Sequence, residues 1–103
     1  MEPMRAASQA LERLRKVEDL LSRSRPKATV KNRDIWSRED AFLADLQDAL
    51  QRRDPTALRA SLDAFRGLSH YFGAYCPSAS ELDKLLDELH AAVERALVAL
   101  RQG

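Results

Sequence analysis

Between Leu82 and Leu100 the apolar residues recur in alternating steps of four and three: Leu82, Leu86, Leu89, Val93, Ala96 and Leu100. Such spacing follows the turn of an α-helix and keeps one of its faces continuously apolar. It predicts a helix over 80–101, about 22 residues and roughly 33 Å long. Leu85, Ala92 and Leu97 widen the stripe. A face this broad needs covering on more than one side, so the helix should lie centrally among others or also contribute to a dimer.

Three earlier segments have the same period. Over 4–22 the stripe is Ala7, Ala10, Leu14, Val17 and Leu21, widened by Leu11 and Leu20. Pro26 closes that segment, because proline lacks an N–H and disfavours a helical residue before it. Over 37–53 the inward set is Phe42, Leu43, Leu46, Ala49 and Leu50. Ser37 at the N-cap and Asp40 three residues on make a capping box for its start, with Trp36 packing back from just outside. Asp54-Pro55 opens the next helix, since a cap carboxylate followed by proline at the first helical position leaves no orphaned donor at the proline. That helix, over 55–72, carries Leu58, Leu62, Phe65 and Leu68, with Gly73 as its stop. Gly67 weakens it by about 1 kcal/mol relative to alanine, so a break near Gly67 is the alternative. Ser78 or Ser80 can cap the last helix.

Four amphipathic helices with short connectors after the second and third predict an all-α fold, an antiparallel four-helix bundle. The 103 residues suffice for one core and make a single helical domain over 1–103. Apolar residues are 45% of the chain and charged residues 32%, which is globular composition with a well-solvated surface rather than a disordered chain. Met1 to Leu14 contains Glu2 and Glu12 and no continuous apolar run, so no secretory signal is expected there. No stretch reaches the ~18 uncharged apolar residues of a membrane span. With a single cysteine, Cys76, neither an internal disulfide nor a cysteine-rich zinc site is expected. These features together indicate a cytoplasmic protein.

Net charge is only +1, but it is unevenly spread. Residues 1–35 hold nine Lys/Arg against five Asp/Glu, and the rest of the chain is acidic. The connector 23–35 concentrates Arg23, Arg25, Lys27, Lys31 and Arg33, with no acid before Asp34. As a functional element it is a footprint for phosphate, in a nucleic acid or another anionic partner. As a solvated loop it can equally lie against the acidic start of the last helix, at Glu81, Asp83, Asp87 and Glu88.

The segment 68–77 (LSHYFGAYCP) gathers His70, Tyr71, Phe72, Tyr75 and Cys76. Tyrosine and histidine combine contact area with a polar tip, so His70, Tyr71, Tyr75 and Cys76 are the candidate partner-binding residues. In the plainer reading the same aromatics plug one end of the bundle. A Cys76–His70 nucleophile pair lacks an orienting third group and an oxyanion motif, so no catalytic residues are assigned.

A bundle of this size with a histidine on a helix face resembles histidine phosphotransfer domains in size and class. Their signature, a lysine and then a glycine within a turn of the histidine, implies space and positive charge for a phosphoryl group. His90 is followed by Ala91, Ala92 and Val93, and His70 by Tyr71 and Phe72, so both depart from it. No metal site or cofactor is expected: Glu88 and His90 point to different faces, and His90 with Glu94 gives two ligands on a solvated edge.

The leading expectation is therefore a non-enzymatic protein-interaction module that binds a protein partner or itself, in an adaptor, accessory or immunity-type role. A nucleic-acid-associated protein using the basic connector comes second, and a histidine phosphotransfer-like protein third.

Overall fold

Proline at residue 3 tolerates the first turn of a helix, and the chain uses it there: the Ala6 N–H donates to the Glu2 carbonyl at 2.9 Å, closing the first turn of α1 (Pro3–Ser24). The computed structural model describes residues 2–24, 33–68 and 79–102. Within them lie three further helices, α2 (Arg33–Arg52), α3 (Pro55–Leu68) and α4 (Ala79–Gln102), and no strand.

The helices pack in a ring, α1 on α2, α2 on α3, α3 on α4 and α4 back on α1. Neighbours run antiparallel. Residues near the end of α1 (Glu18, Leu21) share a groove with the middle of α2 (Asp40, Leu43). Phe42 midway along α2 meets Phe65 near the end of α3, while Arg52 at the end of α2 and Ala57 at the start of α3 border one groove. Arg59 early in α3 shares a groove with Arg101 late in α4, and Phe65 meets His90 further back. The molecule is an antiparallel four-helix bundle measuring 45 × 21 × 18 Å.

The apolar stripes meet on the bundle axis, with Leu14, Val17, Leu46, Leu50, Leu58, Leu89 and Val93 almost wholly buried. The most extensive seam joins α1 and α4. Arg13 bridges to Glu88 at its middle, 3.3 Å apart. On the side of α1 that carries Arg13 lie buried Ala6 and Ala10; on the side of α4 that carries Glu88 lie buried Ala92, Ala96 and Ala99. Methyl groups in place of longer side chains let the two backbones approach closely.

One helix start departs from expectation. The Ser37–Asp40 capping box does not open α2, which begins four residues earlier at Arg33. Residues 33–36 contain neither proline nor glycine, and Asp34 in the first turn suits the positive helix end. Ile35 and Trp36 are half-buried, and the extra turn carries their apolar surface onto the bundle. Ser37 is thus an exposed residue inside the helix, Trp36 is helical rather than external, and Glu39 becomes the first position of the inward stripe, 1% exposed. At α4 the helix opens at Ala79, so Ser80 lies within it, and Ser78 lies outside the described residues.

The α2–α3 junction behaves as its chemistry dictates. Asp54 Oδ1 accepts from the Thr56 and Ala57 N–H groups at 3.0 and 3.3 Å, and the Leu58 N–H donates to the Asp54 carbonyl at 3.0 Å. The preceding end is closed by two bonds, the Arg53 N–H donating to the Leu50 carbonyl (3.3 Å) and the Asp54 N–H to the Ala49 carbonyl (3.1 Å). This is the Schellman arrangement, which requires a left-handed residue, and Arg53 supplies it at φ 53°. Arginine bears a Cβ cost there that glycine does not. Arg53→Gly should therefore raise unfolding free energy by about 0.5–1 kcal/mol, measured by urea denaturation; a loss instead would mean that the arginine side chain makes a compensating contact.

α3 is helical through Gly67 to Leu68, the last described residue of this segment, so the alternative of a break near Gly67 is not decided within the described residues. The expected continuation to Phe72 lies outside the described residues.

Candidate functional site

Residues brought near one another by an antiparallel ring can be read from helix polarity. Ser24, Arg33, Leu68 and Ala79, the helix ends that flank the two long connectors, all fall at one end of the bundle. Both sequence-level candidates are therefore tethered to the same end. Of their residues, His70, Tyr71, Tyr75, Cys76, Arg25, Lys27 and Lys31 lie outside the described residues, as does the side chain of Arg33. Arg23 is described: its Nε lies 3.3 Å from Asp19 Oδ2 and donates to the Asp19 carbonyl at 3.4 Å. That exposed pairing, one helical turn apart, offsets part of its positive charge.

The described surface has its own feature, on α4 and its boundary with α3. Ala96-Leu97-Val98-Ala99-Leu100 is an unbroken apolar run. Successive helical residues are separated by about 100°, so five in a row encircle the helix and one must face outward. That residue is Val98, 53% exposed.

Toward α3, Val98 borders an open groove of about 330 Å³. Leu62 and Leu97 give it an apolar floor, while Arg59, Asp63, Glu94 and Arg101 supply charges of both signs along its rim. Arg59 Nε and Asp63 Oδ1 are 3.7 Å apart on α3. On the outer side, Val98 borders a second, shallower concavity with Ala91, Glu94, Arg95 and Gln102.

His90 stands at the upper limit of the first groove. Its Nδ1 is 2.8 Å from Glu94 Oε1, and its ring meets Phe65 edge-on with centroids 5.0 Å apart and an interplanar angle of 71°. Phe65 in turn meets Phe42 at 5.5 Å and 74°. An aromatic row thus crosses α2, α3 and α4, and the imidazole is held between its last ring and the Glu94 carboxylate. A carboxylate so close opposes an incoming phosphoryl group, and no lysine stands within the following turn. Among the described residues no group of three or more His, Cys, Asp or Glu is placed to hold a metal ion. No described helix is long and apolar enough to cross a membrane.

What these elements define is an all-helical four-helix bundle with a mixed-charge groove on one face. The chain matches no protein-family model, no curated protein and no solved structure.

Sequence reasoning placed His90 at the edge of the apolar stripe and Glu94 one turn on, and the structure brings the two together. It did not single out Val98, Arg59 or Arg101. The five-residue apolar run was the available signal for Val98. Arg59 and Arg101 join one groove only through the α3–α4 packing, which no local pattern encodes.

Proposed function

We propose that the chain is a non-enzymatic protein-interaction module of the cytoplasm, a four-helix bundle that acts by binding a protein partner or a second copy of itself. The observation that supports this reading is Val98, half exposed at the rim of a groove with an apolar floor and charges of both signs. A single exposed apolar side chain is ordinary on a protein surface. One seated between two concavities and flanked by charged residues has the layout of an interface centre, apolar in the middle and polar at the rim. Adaptor, accessory and immunity-type roles all use such a surface.

The test is affinity capture from the native host with and without nuclease, comparing the wild-type chain with Val98→Glu. Val98 already faces water, so the variant should keep its helical circular dichroism and melting temperature. The expected result is a stoichiometric protein partner, or the chain itself, recovered by the wild type and reduced at least about tenfold by the variant, the effect of burying an unpaired carboxylate at an interface centre. Equal recovery by both would overturn the assignment of this surface. Recovery that vanishes with nuclease would instead assign function to the basic connector and its nucleic-acid reading.

A further inference from the structure

Val98 divides the outer face of α4 symmetrically, and the charges on either side of it have a defined order. Glu94 and Arg101 lie on the flank toward α3, one turn before and one turn after Val98. Arg95 and Gln102 occupy the opposite flank at the same separations. Within each flank the two residues are seven apart, two helical turns, so both flanks stay in line with the helix axis.

A two-fold axis perpendicular to α4 and passing beside Val98 would set a second α4 antiparallel to the first. Such an axis reverses the direction of the helix but keeps each flank facing its own counterpart. Glu94 then comes level with Arg101 of the second copy, and Arg101 with its Glu94. Each pair is offset by about 1.5 Å along the helix, the rise of one residue. On the other flank Arg95 comes level with Gln102, whose amide oxygen can accept from a guanidinium. Val98 meets Val98 at the centre, and the small side chain of Ala91 leaves room toward the partner's helix end.

The opposite order of signs on the two sides of Val98 is what makes the face complementary to itself. Were Glu94 and Arg101 of like charge, the same docking would oppose four equal charges. Within one chain and among the described residues, Arg101 forms no ion pair, and the ion pair of Glu94 is with the imidazole of His90. Both groups are therefore available to a cross-copy pair.

We infer that the occupant of the outer α4 face is a second copy of this chain, docked antiparallel about Val98 with reciprocal Glu94–Arg101 pairs. The inference rests on the reading of the chain as an interaction module and names the partner at that same surface. One helix face buries less than a standard interface, so the dimer should be concentration-dependent rather than permanent.

Sedimentation velocity over roughly two decades of protein concentration tests it. The wild type should shift from monomer to dimer. Val98→Glu should stay monomeric throughout. Glu94→Arg faces arginine with arginine and should raise the dissociation constant at least about tenfold. Adding Arg101→Glu to Glu94→Arg reverses both signs and should restore the dimer. Both of these variants lose the Glu94–His90 contact equally, so recovery in the second reports the cross-copy pair alone. A wild type that remains monomeric overturns the inference, as does a dimer indifferent to Val98→Glu or one that the double reversal fails to rescue. If the wild type is monomeric while a photo-crosslinker at position 98 captures a different protein, the interaction reading stands and the second copy is replaced by that partner. If position 98 captures nothing, both fall.

Discussion

Replacing Phe65 with alanine should lower the unfolding free energy by about 3–4 kcal/mol, the scale for deleting a buried aromatic ring and leaving its cavity. Phe65 is 7% exposed and sits between Phe42 and His90 in the row that ties α2, α3 and α4 together. α3 is the shortest described helix, and Phe65 is the largest side chain it gives to the core. For a chain of this length the loss corresponds to a melting temperature lower by roughly 15–25 °C. Phe65→Leu should recover more than half of the loss, since it refills volume and forfeits only the edge-on contacts, about 0.5–1.5 kcal/mol each. Calorimetry on the pair separates the two contributions. A Phe65→Ala variant within about 1 kcal/mol of wild type would mean that the aromatic row is not packed as described.

The second large effect belongs to Glu39. Its side chain is 1% exposed on the inward stripe of α2, one turn before Phe42 and Leu43. Burying an ionisable side chain is costly, and reversing the sign puts a longer cation into the same buried place with the old partners set for a carboxyl group. Glu39→Lys should cost about 3 kcal/mol or more, read by chemical denaturation. Substitution at Asp40, exposed on the next position of the same helix, should change stability by less than about 0.5 kcal/mol. Comparable small effects at both positions would show that Glu39 is solvated.

Glu39 also marks where local sequence chemistry misled. Ser37 followed by Asp40 satisfies a helix-start pattern, and that pattern treats Glu39 as a solvated first-turn acid. The period of the stripe carried the contrary message. Stepping back from Leu46 by three and four gives Leu43 and then Glu39, and the helix follows that register through to Arg33. Tertiary burial of Ile35 and Trp36 outweighed a capping preference worth about 1 kcal/mol.

Elsewhere the pattern was enough. The stripes named on α1, α2 and α4 are buried almost residue for residue, and Asp54 caps α3 through two hydrogen bonds. Strict periodicity and a cap followed by proline are local, strong signals, so these elements were legible. The ring order, the antiparallel groove between Arg59 and Arg101, and the alanine content of the α1–α4 seam are relations between distant segments. They emerge only once the helices are placed. For the site, His90 and Glu94 were legible because one helix brings them together. The aromatic segment and most of the basic connector lie outside the described residues.

The α1–α4 seam has a bearing on how the chain reaches its fold. The largest interface joins the first helix to the last, across more than half the sequence, while the quickest contacts to form, those of the tight α2–α3 hairpin, make a smaller one. During synthesis α1 emerges before α4, so the seam between them can close only once α2 and α3 have also been made. Folding of this bundle is in that sense a closing act.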